Sequence, residues 1–229
     1  MTYEEVLQTL EQLRNPEALD GMARFGITTV HAYGISIPTL RAIARRVGRD
    51  HNMALQLWSS RIHEARILAS IVADPHLLTE EQMEQWVRDF NSWDLCDQCC
   101  NNLFRKTVYA WQKAIEWSAR AEEYVKRAGF VLMASLAVGD KTSSDARFLE
   151  FLPVIQREAT DGRKMVKKAI SWALRQIGKR SQALNVAASQ TASQLRQMDS
   201  PPARWIAADA LRELRSAAVQ RRIGVRDSI

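Results

Sequence analysis

Met165-Val166-Lys167-Lys168-Ala169-Ile170-Ser171-Trp172-Ala173-Leu174-Arg175-Gln176-Ile177-Gly178-Lys179 is the stretch whose periodicity decides the fold. At about 100° per residue, Val166, Ile170, Ala173 and Ile177 form one apolar stripe. Lys168, Trp172, Arg175 and Lys179 form the opposite one. The pattern predicts an amphipathic helix with one side in a core. On its other side a tryptophan stands among cations. As a packing device, Trp172 would cover a neighbouring helix while the cations snorkel. As a binding device, the stripe is a basic groove with an aromatic contact for DNA.

Working outward, the dipeptide Lys168-Ala169 has counterparts at the starts of other apolar helical stretches: Glu64-Ala65, Arg127-Ala128 and Pro202-Ala203, with Asp97-Gln98 between the first two. The steps between them are about 33, 30, 41 and 34 residues, the size of a two-helix solenoid unit. Glu64, Asp97, Arg127 and Lys168 then occupy one repeated position and are expected to line one surface.

The rest of the chain reads as helices in pairs with short connections. Thr2 to Glu5 and Thr79 to Gln82 are capping boxes. Asn15-Pro16-Glu17 opens a second helix, and Tyr33-Gly34-Ile35-Ser36 reads as a glycine-marked connection. Further helices are expected near 38–47, 50–58, 61–73 and 79–90. Beyond the stretch at 91–100 they are expected near 107–119, 121–138, 144–160, 164–180, 181–197 and 202–218. No segment reads as a strand, and the chain from about 220 reads as a short C-terminal tail.

Composition agrees. Only nine glycines and six prolines in 229 residues leave few turns for many short strands, so the expected class is all-α. A net charge of +6 and a pI near 9.5 point to a polyanionic partner. No apolar run is long enough for a membrane span, and the acidic N-terminus is unlike a signal peptide. Cys96, Cys99 and Cys100 are clustered and odd in number, which suggests reduced packing thiols in a cytoplasm rather than disulfides. No second ligand pair at zinc spacing follows them, and neither a metal nor a cofactor is expected.

The stretch Asn91-Ser92-Trp93-Asp94-Leu95-Cys96-Asp97-Gln98-Cys99-Cys100 carries the candidate chemistry. On a helix, Trp93 and Asp97 share one face. A carboxylate beside an aromatic wall suits a cation or a developing positive charge. The competing reading of Asp97 is a salt-bridged surface aspartate, paired with Arg127. Glu64 is either a second carboxylate near the groove or a structural partner of Arg66 or Arg61, the structural role being favoured. Tyr33 and Trp58 read as core.

Taken in order, several motifs resemble one family: N-P-E at Asn15 to Glu17, M-A-R-F at Met22 to Phe25, G-I-x-x-P at Gly34 to Pro38, and L-W at Leu57-Trp58. These are followed by S-W-D-x-x-D at Ser92 to Asp97, K-R-A at Lys126 to Ala128, and V-K-K-A-I-x-W-x-L-R at Val166 to Arg175. Over about residues 15 to 180 the chain resembles the AlkD-type DNA alkylation repair proteins, HEAT-like-repeat DNA glycosylases. The resemblance implies a right-handed solenoid of HEAT-like helical repeats, here one domain over residues 1–229, monomeric, with double-stranded DNA in its concavity. It implies excision of positively charged N3- and N7-alkylpurines without base flipping, in a cytoplasmic, DNA-associated protein. By resemblance, Asp97 is the catalytic carboxylate, and Trp93 and Trp172 stand against the lesion sugar. Phe25, Arg127, Lys168, Arg175 and Lys179 would contact DNA. Phe25 stands where better-known members carry tyrosine, so a hydroxyl is missing. Some relatives bind unusual DNA structures without excising bases, which keeps a non-catalytic binder and a protein-interaction scaffold as alternatives.

An N7-alkylpurine is already cationic and leaves as a neutral base. Positive charge then accumulates on the deoxyribose. A carboxylate about 4 Å away, at an effective dielectric of ~20, is worth roughly 4 kcal/mol. That amounts to about a thousandfold in rate if all of it is expressed in the transition state.

Overall fold

Side-chain caps start the helices where the sequence places them. Thr2 Oγ1 accepts from Glu5 N–H at 3.2 Å while the Glu5 carboxylate accepts from Thr2 N–H at 2.9 Å. Thr79 and Gln82 repeat the arrangement, and Asp50 caps Met53 N–H at 2.9 Å. In the computed structural model, which describes residues 1–226, the chain is helical with no strand among the described residues. It forms two compact units, residues 1–109 and the chain from Ala110 onward.

The first unit contains α1 (Tyr3–Gln12), α2 (Pro16–Arg24), α3 (Ile37–Val47), α4 (His51–Ser59), α5 (His63–Val72), α6 (Glu80–Arg88) and α7 (Trp93–Asn102), then a 3-10 turn, Phe104–Lys106. Here α5 packs on α3, α4 and α7. Leu10, Leu40, Leu57, Leu68, Met83 and Leu95 are buried between them. Trp58 is core, as expected, and stacks on Trp86 with ring centroids 4.0 Å apart. Tyr33 is only half-buried, with the Arg14 guanidinium over its ring.

Glu64 is structural, but its partners are not the expected arginines. Its carboxylate is 1% exposed and accepts from the backbone N–H of Tyr33, Gly34 and Ile35 at 2.8, 2.7 and 3.2 Å. An ionised carboxylate that accepts three amides is well compensated in a dry site. It therefore faces inward rather than lining a surface. Gly34 has φ +77°, and a Cβ there would lie 2.2 Å from Asn15 O, so glycine is required. This connection ties the loop before α3 to both α2 and α5.

The second unit contains α8 (Ala110–Ser118), α9 (Glu123–Gly139), α10 (Asp145–Leu149), α11 (Phe151–Glu158), α12 (Lys164–Gly178), α13 (Gln182–Gln197), α14 (Pro201–Leu214) and α15 (Ala217–Arg226). α9 packs against α8 and α12, and α12 against α13 and α14. α9 is buried along most of its length, from Val125 to Ala137. Val166, Ile170, Ala173 and Ile177 of α12 are all buried, as the periodicity predicts.

The helix expected over 144–160 is broken between Leu149 and Phe151. Pro153 has no N–H to give Leu149, and its ring crowds that carbonyl. The segment read as a tail from about 220 continues as α15 to Arg226, and the rest of that reading lies outside the described residues. The alanines of the repeat, Ala65, Ala128, Ala169 and Ala203, are all buried at helix contacts.

Candidate functional site

In the first unit the site grows from α7. Ser92 is extended and starts the helix at Trp93. Leu95, Cys96, Cys99 and Cys100 form its buried face, while Trp93, Asp97 and Asn101 lie on the half-buried one. The cysteines are thus packing residues. Burial pushes the thiols of Cys99 and Cys100 well above the usual range, leaving little thiolate to react.

Trp93 Nε1–H donates to the backbone carbonyl of Phe25 at 3.0 Å. Thr28 Oγ1 donates to Asn91 O at 3.0 Å, tying the same loop to the start of α7. The Phe25 side chain is 73% exposed beside this junction. Asn101 Nδ2 donates to Asp97 O at 2.9 Å, and Arg105 Nε donates to Asn101 O at 2.7 Å. Trp93, Asp97, Asn101 and Arg105 therefore form one ladder at four-residue spacing. In this unit Trp93 is tied to the Phe25 backbone, and Asp97 lies one turn further along α7.

Sequence reasoning missed a buried pair beside Trp93. His63 Nε2 lies 2.8 Å from Asp94 Oδ2, with His63 only 5% exposed. Burial alone would lower the imidazole pKa. The hydrogen bond and charge of Asp94 outweigh it, and the net shift is upward. Burial would likewise raise Asp94, but the His63 hydrogen bond and charge, with help from Ser92 and a backbone amide, hold it below its usual value. Their separation of 31 residues is close to the steps of about 30 and 33 visible in the sequence, and that was the signal available.

In the second unit, Arg127 on α9 is 5% exposed and its Nη1 donates to Met165 O at 2.6 Å, at the start of α12. Trp172 is half-buried. With the Gln176 amide turned to accept, its oxygen takes Trp172 Nε1–H at 3.0 Å and Lys179 Nζ at 2.9 Å. Arg175 pairs with Glu213 and, at 3.5 Å, with Asp209 of α14; Lys179 also pairs with Glu213. Burial would raise the Glu213 pKa, but Lys179 and Arg175 together bring it below the ordinary carboxylate range. Much of the expected basic stripe is thus met by an acidic stripe on the next helix. Lys168 is exposed and has no ion pair among the described residues.

A family model described as "DNA alkylation repair enzyme" matches residues 6–214. Among curated proteins, uncharacterized protein Lin0241 of Listeria innocua and uncharacterized protein Lmo0209 of Listeria monocytogenes are each 27% identical over 89 residues, 38% of this chain. The match spans 40% of the length of each of these relatives. Among solved structures, a member of "a new family of proteins related to the HEAT-like repeat DNA glycosylases with affinity for branched DNA structures" is similar over 93% of this chain and 96% of that one. Its TM-score is 0.77 and its identity 18%, a likeness of fold. The all-α, HEAT-like-repeat class expected from the sequence is the class observed.

Proposed function

We propose the function of this chain from one premise: it belongs to the DNA alkylation repair enzyme family. The chain, taken as a single HEAT-like-repeat domain, is a monofunctional DNA glycosylase. It hydrolyses the N-glycosidic bond of positively charged N3- and N7-alkylpurines in duplex DNA. The observation that carries this reading is the α7 ladder, where Asp97 stands one turn from Trp93 and Trp93 is itself held by the Phe25 carbonyl. Asp97 stabilises the oxocarbenium-like sugar, and Trp93 offers it a ring face and excludes water. Trp172 is assigned to the sugar as well, and Lys168 to a phosphate. Arg175 and Lys179 would reach phosphates only by giving up part of their pairing with Glu213, and Arg127 by leaving the Met165 carbonyl.

The test is single-turnover release of 7-methylguanine from alkylated duplex DNA. Asp97→Asn keeps shape and removes charge. It is expected to bind DNA as well as the wild type or slightly more tightly, and to excise about two to three orders of magnitude more slowly. Wild-type excision by a stably folded Asn variant would remove Asp97 from catalysis.

A second reading is a non-catalytic binder of bent or branched DNA. It is favoured by the branched-DNA affinity ascribed to the structural neighbour's family. DNA binding without base release by the wild type would establish it.

A further inference from the structure

In the first unit the α7 ladder ends among cations from another helix. Arg105 is pinned through Nε to Asn101 O at 2.7 Å. Arg41, on α3, reaches the Asn102 side-chain oxygen at 3.4 Å. Two guanidinium groups from different parts of the chain are thus held by consecutive asparagines, both through neutral oxygens. Arg49, just beyond α3, comes no nearer than 4.0 Å to a carboxylate, that of Asp74. Lys106, in the 3-10 turn, is exposed and has no ion pair among the described residues. Partial burial and the charges of Arg105, Arg49 and Arg41 lower the affinity of its ammonium for its proton. The charges of the three arginines are thus felt at Lys106.

This contrasts with α12, where Glu213 and Asp209 meet Arg175 and Lys179. Like charges gathered with little counter-charge repel one another, and a polyanion would relieve that repulsion. Arg105 follows the end of α7 in the 3-10 turn and is tied back to it through Asn101 O. Successive phosphates of a DNA strand offer such a row of cations a repeated anionic partner.

We propose that Arg41, Arg49, Arg105 and Lys106 form a binding site for successive phosphates of one DNA strand, beyond the nucleotide facing Asp97. The inference rests on the reading of the α7 site given above and adds to it where the strand is gripped. Arg105 and Arg41, pre-oriented by the two asparagines, supply fixed donors, while Arg49 and Lys106 supply charge.

The test uses the full chain and duplex DNA carrying a single 7-methylguanine, with affinity measured over a range of salt concentrations. Lys106→Gln is expected to lower the salt slope by about one unit and Arg49→Gln/Lys106→Gln by about two. Lys106→Arg should bind as the wild type does. Because repulsion is relieved, the Tm of Lys106→Gln should be unchanged or higher. Neutral methylphosphonates stepped along each strand from the lesion should weaken the wild type at adjacent positions on one strand and leave the double variant unaffected there. A wild type that binds with a steep slope, beside Gln variants with the same slope, overturns the cluster and leaves the α7 reading standing. A lower Tm in Lys106→Gln, with Lys106→Arg no better, makes the cluster structural and overturns it. Shifted slopes with no base release keep the cluster and remove the catalytic reading. A wild type that binds no DNA removes both.

Discussion

At the residue scale, the pair His63–Asp94 gives the first unit a pH-dependent fastener at the start of α7, next to Trp93 in the chain. The His63 pKa lies above its ordinary 6.5. Its contribution to stability is therefore fully present below pH 6.5 and is lost as the pH rises through the folded-state value. Asp94 is depressed below 3.8, so its contribution is present above that value and lost as the pH falls through the lower one. Stability should accordingly peak between these limits and decline on the alkaline side as the imidazolium loses its proton. His63→Gln leaves Asp94 buried without its cation and should cost about 3–5 kcal/mol near pH 6. It should also flatten the decline above pH 6.5. Thermal denaturation from pH 5 to 9 reads both effects, and a variant with the wild-type alkaline slope would remove His63 as its source. Residue identity in the sequence made Trp93 and Asp97 legible as a motif. It did not reveal that Asp94, between them in sequence, is drawn inward by a histidine 31 positions away, because only the folded chain makes that pairing.

At the scale of elements, the repeat was legible because it is written in spacing as well as in composition. In the first unit Tyr33–Glu64, Trp58–Asp89 and His63–Asp94 are each separated by 31 residues. In the second, Arg127–Met165, Ser171–Asp209 and Arg175–Glu213 are each separated by 38. The uneven steps found from alanine alone reflect this change of period. Helical periodicity gave the α12 face correctly. It could not say what faced that face, because the acids of α14 repeat at the same four-residue interval and are read only against a known partner helix. The break at Pro153 was legible in principle, since proline's effect on the carbonyl four residues earlier is local. Close approach of helices is tested at Gly129, where a Cβ would fall 2.5 Å from Ser118 N and 2.9 Å from Ala114 O. Gly129→Ala must push α8 and α9 apart and should cost about 1–3 kcal/mol. Gly21→Ala, on α2 with nothing within 4 Å of the added carbon, should instead stabilise by about 0.5–1 kcal/mol. Denaturant midpoints of the two variants should move in opposite directions, and a shared direction would contradict the packing described for α9.

At the scale of the whole molecule, the chain carries a net charge of +6, and where that charge is left uncompensated decides which chemistry is open to it. A glycosylase that also cuts the strand needs an amine neutral enough to attack the sugar and form a Schiff base. Burial and the charges of Arg105, Arg49 and Arg41 lower the Lys106 pKa from its ordinary value, which makes it the lysine to test. Its place argues against that use. It follows Arg105 in the 3-10 turn, past the end of the helix that carries Asp97, among arginines suited to phosphate. A phosphate docked there would favour the ammonium form, which is no nucleophile. The expected product is therefore an intact strand with an abasic site, released without a covalent intermediate. Borohydride added during turnover on DNA carrying 7-methylguanine should trap no protein–DNA adduct, at pH 7 or at pH 9. A trapped adduct that disappears in Lys106→Gln would instead make this lysine a nucleophile and the chain a bifunctional enzyme.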